Sequence, residues 1–487
     1  MSKGHFIHGS WNVSGGVEMS ALDPATGETV WQGRAAGGAE IDRAVASARE
    51  LLEHWSNRTL AERAEFIETF GQRLKQRHAV LTESISRQTG KPRWEAATET
   101  DAVINKIGAT LEAHDQRRMA SMRPMTGATG TTRYKPHGVV AVLGPFNFPA
   151  HLPCGHIIPA LLAGNTVVFK PSELAPQVAE VLADIWHESG LPGGVLNVIQ
   201  GARDTGQRLV SHAGIDGVFF TGSYDAGRAI SRSLADQPGK IVALEMGGNN
   251  PLVVYQSYDF EAAAYWTVQS AYITAGQRCS CARRLIVVDD GSQSDLFIDR
   301  LVQMIKRIIV GKYTDQPEPF MGPVISDLAA NKILTAQQDL LARGGKALVP
   351  LRSVGPRRAM LTPGLIDVSS VTNRPDEEIF GPLLQLVRVT DFDQAIAEAN
   401  NTKYGLSAGL FCEDQEHWKT FYSQIRAGVV NWNRPLTGAS TLLPFGGIGR
   451  SGNNRPSAYF ATDYCSYPVA SIESETLEFP QQLTPGL

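Results

Sequence analysis

An α/β architecture made of two consecutive sheet-and-helix units is what this 487-residue sequence predicts. Three observations lead there. From Gly138 onward, short apolar, β-branched runs alternate with helical patterns; a second series of the same kind follows Asn250; and the stretch 117–135, rich in Met, Thr, Gly and Arg, fits neither rhythm. Near-continuous apolar strands joined by helices indicate a parallel sheet, because the crossover helices cover both of its faces.

Taken in order, the first hundred or so residues read as strands followed by helices. Thr59-Leu60-Ala61-Glu62 is a capping-box pattern, in which hydroxyl and carboxylate each satisfy an orphan amide. Ala64, Phe66, Ile67, Phe70 and Leu74 then recur at helical spacing. The first sheet is expected from strands at 139–144, 166–170, 195–201, 217–223 and 240–245, with helices near 155–163, 176–189, 204–213 and 225–236. The second is expected from a helix near 259–275, a strand at 283–290, two long helices, and strands at 383–391, 406–412 and 428–433. Lacking helical periodicity, 117–135 reads as a hairpin that leaves its domain, with the tail from about Ala461 pairing against it.

Composition narrows the class. Lys plus Arg total 45 against 49 Asp plus Glu, a net charge of −4, and no basic stripe runs along the chain, so no nucleic-acid partner is expected. With 43% hydrophobic and 19% charged residues the chain can bury a substantial core. The five cysteines (Cys154, Cys279, Cys281, Cys412, Cys465) are scattered and form no C-x-x-C pair, which argues against a disulfide framework and against a metal site. Together with an N-terminus that has no apolar signal segment, this suggests a reduced, cytoplasmic protein. Residues 136–169 contain no Asp, Glu, Lys or Arg before Lys170. Pro145, Pro149, Pro153 and Pro159 interrupt them, so a buried strand, loop and short helix are expected rather than a membrane span.

In a parallel sheet, ligands bind outside the carboxyl ends of the strands, and the chemistry-bearing residues fall there. Cys279, in TAGQRCSCARR, is a candidate nucleophile if nearby positive charge favours its thiolate; the plain alternative is a packed, inert cysteine. Glu245 ends a strand and opens EMGGNNP, where desolvation would make it a base for water; otherwise it is a surface carboxylate at a turn. Asn147, stiffened by Pro145 and Pro149, is either an amide donor to an oxyanion or an Asx turn. Lys170 and Glu173 stand where a ribose would be held, and an acidic partner suits a free 2′-hydroxyl, hence NAD over NADP. Gly222-Ser223 with Tyr224, Asp225, Ala226 and Gly227 forms a strand–turn–helix passage that offers free amides to a phosphate, or a plain helix cap. Glu378 and Phe380, in EEIFGP, are candidates for a second ribose and for packing against a nicotinamide.

These motifs together, in this order, resemble the aldehyde dehydrogenase superfamily over essentially the whole chain; the Glu245–Cys279 separation and PFGGIGRSG (444–452) are similar as well. TGKPRWEAATE, HLPCGHIIPALLAGN, LEMGGNNP, TAGQRCSCARRL, NWNRPLTGA and SGNNRPSAYFATDYC resemble a branch that oxidises a carboxylated semialdehyde in amino-acid catabolism. Cys154, Ala150 and Phe146 depart from that pattern, where asparagine, glycine and, in the broader superfamily, tryptophan are expected. The resemblance implies a Rossmann-type NAD-binding domain over 1–116 and 136–248, a catalytic domain over 249–460, and a β-hairpin oligomerisation element over 117–135 and 461–487, in a homodimer or higher homo-oligomer. It implies attack of Cys279 on a small-molecule semialdehyde, an oxyanion held by Asn147, NAD as cofactor and hydrolysis of a thioester by Glu245. The far carboxylate would need cations, for which Arg278, Arg283, Arg434 and Arg455 are candidates. A cofactor-free cysteine hydrolase, an acylating dehydrogenase that uses coenzyme A, and a binding protein on this fold remain as alternatives.

Overall fold

The structure, a computed structural model, describes residues 2–13, 15–289, 291–480 and 482–486. Two seven-stranded sheets organise it. In the first, the parallel strands Ile241–Met246, Gly217–Gly222, Val139–Leu143, Thr166–Lys170 and Leu196–Val198 lie in that order, and His5–Ile7 and Ser10–Asn12 continue the sheet antiparallel. The strand expected over 195–201 is confined to Leu196–Val198. Helices Pro176–Glu188 and Tyr224–Ser233 fall where the periodicity puts them.

The second sheet runs Lys346–Val349, Gly364–Asp367, Leu383–Val389, Arg284–Val288, Pro251–Val254, Ser407–Phe411 and Val429–Trp432. All are parallel except the edge strand Lys346–Val349. Pro251–Val254, near the middle of this sheet, is absent from the sequence expectation because NNP reads as a turn. Pro251 is its first residue, where a missing N–H costs no ladder bond, and all four residues are buried.

The segment 136–169 forms a buried strand, a loop and the helix His151–Leu162, and no helix of the described residues is long and apolar enough to cross a membrane. Thr59 caps the helix Leu60–Gln76 as its spacing predicts: its hydroxyl accepts from Glu62 N at 3.2 Å while Glu62 Oε2 accepts from Thr59 N at 2.7 Å. Two apolar clusters sandwich the first sheet and a third fills the second domain. In one of them Phe70 stacks on Trp186, with centroids 3.7 Å apart and planes within 5°, joining the helices Leu60–Gln76 and Pro176–Glu188.

Residues 121–136 form a hairpin, Ser121–Met125 against Ala128–Pro136, and the tail strand Ser466–Glu473 pairs antiparallel with its long arm from Ser466↔Pro136 to Glu473↔Thr129. Arg117 and Arg118 tie the root of this sheet to Asp463. Met119, Met122, Met125 and Ile472 stand exposed on it.

Phe70→Ala removes one ring of a fully buried stack, so its stability should fall by about 3–5 kcal/mol, read as a lowered denaturant midpoint at unchanged slope.

Candidate active site

Strand register assembles the site. Thr221 pairs with Glu245 and Gly222 with Met246, and Leu143 pairs with Lys170, so Glu245, Gly222, Lys170 and the loop carrying Asn147 emerge from the same end of the first sheet. The second domain brings Cys279 to them.

The helix Phe260–Ala271 stops four residues short of the expected end, and the chain turns sharply. Thr274, Ala275 and Gly276 adopt φ of 58°, 50° and 69°, a left-handed run that only Gly276 enters without strain. A Cβ on Gly276 would lie 2.1 Å from Gly381 O. Two buried side chains hold this turn. The Arg283 guanidinium, entirely buried, donates to Gly276 O at 2.6 Å and to Arg278 O at 2.8 Å, and stands 3.5 Å from Glu378 Oε1. Asn250 Nδ2 donates to both Cys279 O (2.6 Å) and Cys281 O (2.9 Å), while its Oδ1 accepts from Ser407 N at 3.1 Å.

Cys279 is the one cysteine of the five that is not buried. Its side chain nevertheless lies deep: burial, with the carboxyls of Glu378 and Glu245 near it, pushes the thiol up to about 12. Its backbone N–H makes no hydrogen bond within the described residues. Beside the turn, the buried Asn147 donates from Nδ2 to Gln277 O at 2.8 Å, which locks the amide onto the nucleophile loop and leaves its second N–H free to act. The Asx turn weighed for Asn147 is not made. Cys281 is buried, with its sulfur on Ile273 O at 3.9 Å, a packed residue.

Glu245 is 4% exposed and forms no ion pair among the described residues. Oε1 accepts from Ser457 N at 3.1 Å and Oε2 has no partner, so desolvation holds its carboxyl well above the usual range. The surface-turn alternative does not describe this environment.

Lys170 is buried, donates to Pro171 O (2.7 Å) and Gly201 O (2.9 Å), and is lowered to about 8 by burial; Glu173 lies 3.9 Å away and half exposed. Ser223 caps the helix Tyr224–Ser233, its Oγ accepting from Ala226 N at 3.3 Å. Its hydroxyl is thus engaged locally, as the plain-cap alternative describes. On that helix Asp225 pairs with Arg228 at 3.3 Å, Arg450 lies over the Tyr224 ring, and Gly227 sits against Met246. The Glu378 carboxylate lies over Gly247, accepting from Gly248 N at 3.3 Å, and is raised by burial against the opposing pull of Arg283. Phe380 meets Phe146 edge-on at 5.9 Å and the Arg283 guanidinium at 5.3 Å.

The four candidate arginines separate. Arg283 is the internal strut just described. Arg278 pairs with the buried Glu95 at 2.8 Å and donates to Thr274 Oγ1 at 2.7 Å. Arg434 and Arg455 are exposed and have no carboxylate partner among the described residues. Sequence reasoning missed Asn250, Gln277, Glu95 and Ser457. For Glu95 a signal existed: Glu95 and Glu99 in TGKPRWEAATE are one helical turn apart and therefore share a face. No group of three or more metal-ligating side chains occurs among the described residues.

A nucleophile, an unpaired buried carboxyl and an amide donor, set between two α/β sheets, define a class, and the family model described as "Aldehyde dehydrogenase family" matches residues 11–468. The chain belongs to the aldehyde dehydrogenase family. It is 52% identical over 483 residues, 99% of both chains, to the N-succinylglutamate 5-semialdehyde dehydrogenase of Ectopseudomonas mendocina, and 51% identical over 482 residues, again 99% of both, to the protein of that name from Chromobacterium violaceum. Among solved structures it matches an aldehyde dehydrogenase from Burkholderia cenocepacia (28% identity, TM-score 0.93, 99% of both chains) and the 1-pyrroline-5-carboxylate dehydrogenase from Thermus with bound NAD (29%, TM-score 0.90, 97% of this chain and 92% of that one).

The pH dependence of stability follows from Glu245. Its folded-state pKa is raised, so the native protein holds this proton more tightly than the unfolded chain. Stability is therefore lost as pH climbs from the ordinary carboxylate range through the raised value. Glu245→Gln removes that loss: its melting temperature should exceed that of the parent at pH 8, with the gap shrinking towards pH 4 in a thermal-shift series.

Proposed function

We propose that the chain oxidises N-succinyl-L-glutamate 5-semialdehyde to N-succinyl-L-glutamate with NAD, a step of arginine catabolism by the succinyltransferase route. The observation that carries the reading is the partly accessible Cys279 sharing one desolvated site with the unpaired Glu245. Identity above one half to the two named relatives supports the substrate.

The residues fit NAD. Lys170, anchored on two carbonyls, and the half-exposed Glu173 with a carboxylate to spare would hold one ribose; the free amides after Gly222-Ser223 would face the pyrophosphate; Glu378 and Phe380 would flank the far end. NAD, when bound, supplies the acceptor for the two electrons that leave the aldehyde carbon.

The chain's own residues do the rest. Cys279 sulfur attacks the aldehyde carbon as its thiol proton leaves, and Glu245, with a free Oε2, is the acceptor at hand. The oxygen that gains charge is met by the second Asn147 N–H and the unused Cys279 N–H, donors already in place and therefore needing no reorganisation. Oxidation leaves the acyl group on Cys279 as a thioester. Once Glu245 has released the thiol proton to solvent it takes a proton from water, the water oxygen bonds to the acyl carbon, and the C–S bond breaks to return the thiolate, which the protonated Glu245 can recharge as thiol. A carboxylate raised by burial is a stronger base towards water, so hydrolysis of the thioester has its proton acceptor within the site. Arg434 and Arg455, free of carboxylate partners, are available to the substrate's outer carboxylate. The exposed methionines and Ile472 on the hairpin-and-tail sheet support assembly into a homodimer or larger homo-oligomer, and five unpaired cysteines support a cytoplasmic setting.

Absorbance of reduced nicotinamide tests the reading: the parent protein should turn over the semialdehyde with NAD. Glu245→Gln should give a burst of about one equivalent per site and then stall, with the acyl group trapped on residue 279. Label elsewhere, or acid formed without NAD reduction, overturns it. Asn147→Ala should bind NAD as tightly as the parent while turnover falls roughly 10²–10³-fold, the usual loss for one oxyanion donor.

A further inference from the structure

We infer that Lys106 is the buried anchor for a carboxylate of the substrate. The inference rests on the function proposed above and adds a residue to it.

Helix Arg93–Arg117 directs Glu95, Glu99 and Lys106 along its buried face towards the catalytic loops. Each acid is matched. Glu95 takes Arg278 of the nucleophile loop at 2.8 Å. Glu99 takes Lys91 at 2.6 Å, and its other oxygen accepts from Ala150 N (2.9 Å) and His151 N (3.1 Å), which fixes the start of the helix that follows Asn147. Lys106 is 5% exposed and has no hydrogen bond or ion pair among the described residues. An ammonium so placed without an acceptor is costly, and burial accordingly lowers it to about 8.

Its surroundings offer no unpaired anion: Glu99, on the same face of the helix, is taken by Lys91. Lys106 Nζ lies 3.1 Å from where a Cβ on Gly155 would be, so it occupies the space left by the missing side chain, one helical turn beyond His151. The neighbouring Cys154 thiol is pushed up to about 12 by burial and stays neutral. His151 is held well below its usual range by burial and by the charges of Lys106, Lys91 and Arg278, and its Nδ1 has no partner. Phe148, His151, Leu152, Arg278 and Cys279 are the partly exposed members of this neighbourhood, with Arg278 over the Phe148 ring at 5.0 Å. His151 links them to Lys106, since the charges of Lys106, Lys91 and Arg278, the residue before Cys279, all act on it; of these three cations Lys91 is taken by Glu99 and Arg278 by Glu95, and Lys106 alone is left uncompensated. Arg434 and Arg455, by contrast, are exposed, where an ion pair contributes little. A carboxylated aldehyde that binds at Cys279 brings the missing counter-charge to Lys106.

Lys106→Met keeps the length of the side chain and removes a buried charge, a change that folded proteins tolerate. Steady-state kinetics should show KM for the succinylated semialdehyde raised about 10- to 100-fold, the factor for one charged hydrogen bond. A neutral aliphatic aldehyde should keep its kcat/KM within about threefold, and Lys106→Arg should recover part of the loss. Calorimetric titration with N-succinylglutamate should show the same weakening in Lys106→Gln, independently of turnover. Equal losses on both aldehydes, or none on either, overturn the inference. A parent enzyme that prefers the carboxylated aldehyde and a Lys106→Met variant that prefers it as strongly remove Lys106 alone; a parent with no such preference removes the functional reading and this one together.

Discussion

The turn that carries Cys279 is built against the preference of its own residues, and buried hydrogen bonds hold it. Thr274 and Ala275 pay for a left-handed conformation that neither favours. What compensates them is external: the Arg283 guanidinium on Gly276 O and Arg278 O, the Asn250 amide on Cys279 O and Cys281 O, and Glu95 on Thr274 and Arg278. Strain of this kind persists only where the surroundings over-determine it. The result is a nucleophile whose backbone N–H stays unbonded while its carbonyl is clamped.

Charge follows the same logic. Around the thiol the protein pairs most of its ions: Glu95 with Arg278, Glu99 with Lys91, Glu378 with Arg283. It leaves Glu245 and Lys106 unpaired, although each costs stability where it is. Groups that bear a desolvation cost without a partner are the ones available to a reacting molecule, one for protons and one for charge. Helix Arg93–Arg117 connects these roles, since successive turns of it touch the nucleophile loop, the Asn147 loop and the helix beyond.

Both sheets were legible in the sequence because parallel strands buried on two faces leave unbroken β-branched runs, and Val139–Leu143, Thr166–Lys170, Gly217–Gly222 and Arg284–Val288 all show them. Pro251–Val254 was not, since a strand that opens with proline after two asparagines carries turn chemistry in its composition. Cys279, Glu245 and Asn147 were legible as candidates from their places at strand ends and from their joint resemblance to one family. Arg278 and Arg283 were legible as cations near the thiol, but their engagement with Glu95 and with backbone carbonyls depends on chain segments distant in sequence.

The alternation of strands and helices, the position of the chemistry-bearing side chains along the chain and the family were determined by the sequence alone, because burial pattern and motif spacing are local properties that the sequence writes directly; the order of strands within each sheet, and the strands Pro251–Val254, Lys346–Val349 and Gly364–Asp367, were not. Which carboxyl is left without a counter-ion, which arginine is a strut and which lysine waits for an anion were decided only by the tertiary structure. Desolvation and pairing depend on what packs against a group, and here those partners come from distant segments, 183 residues apart for Glu95 and Arg278 and 212 for Glu245 and Ser457.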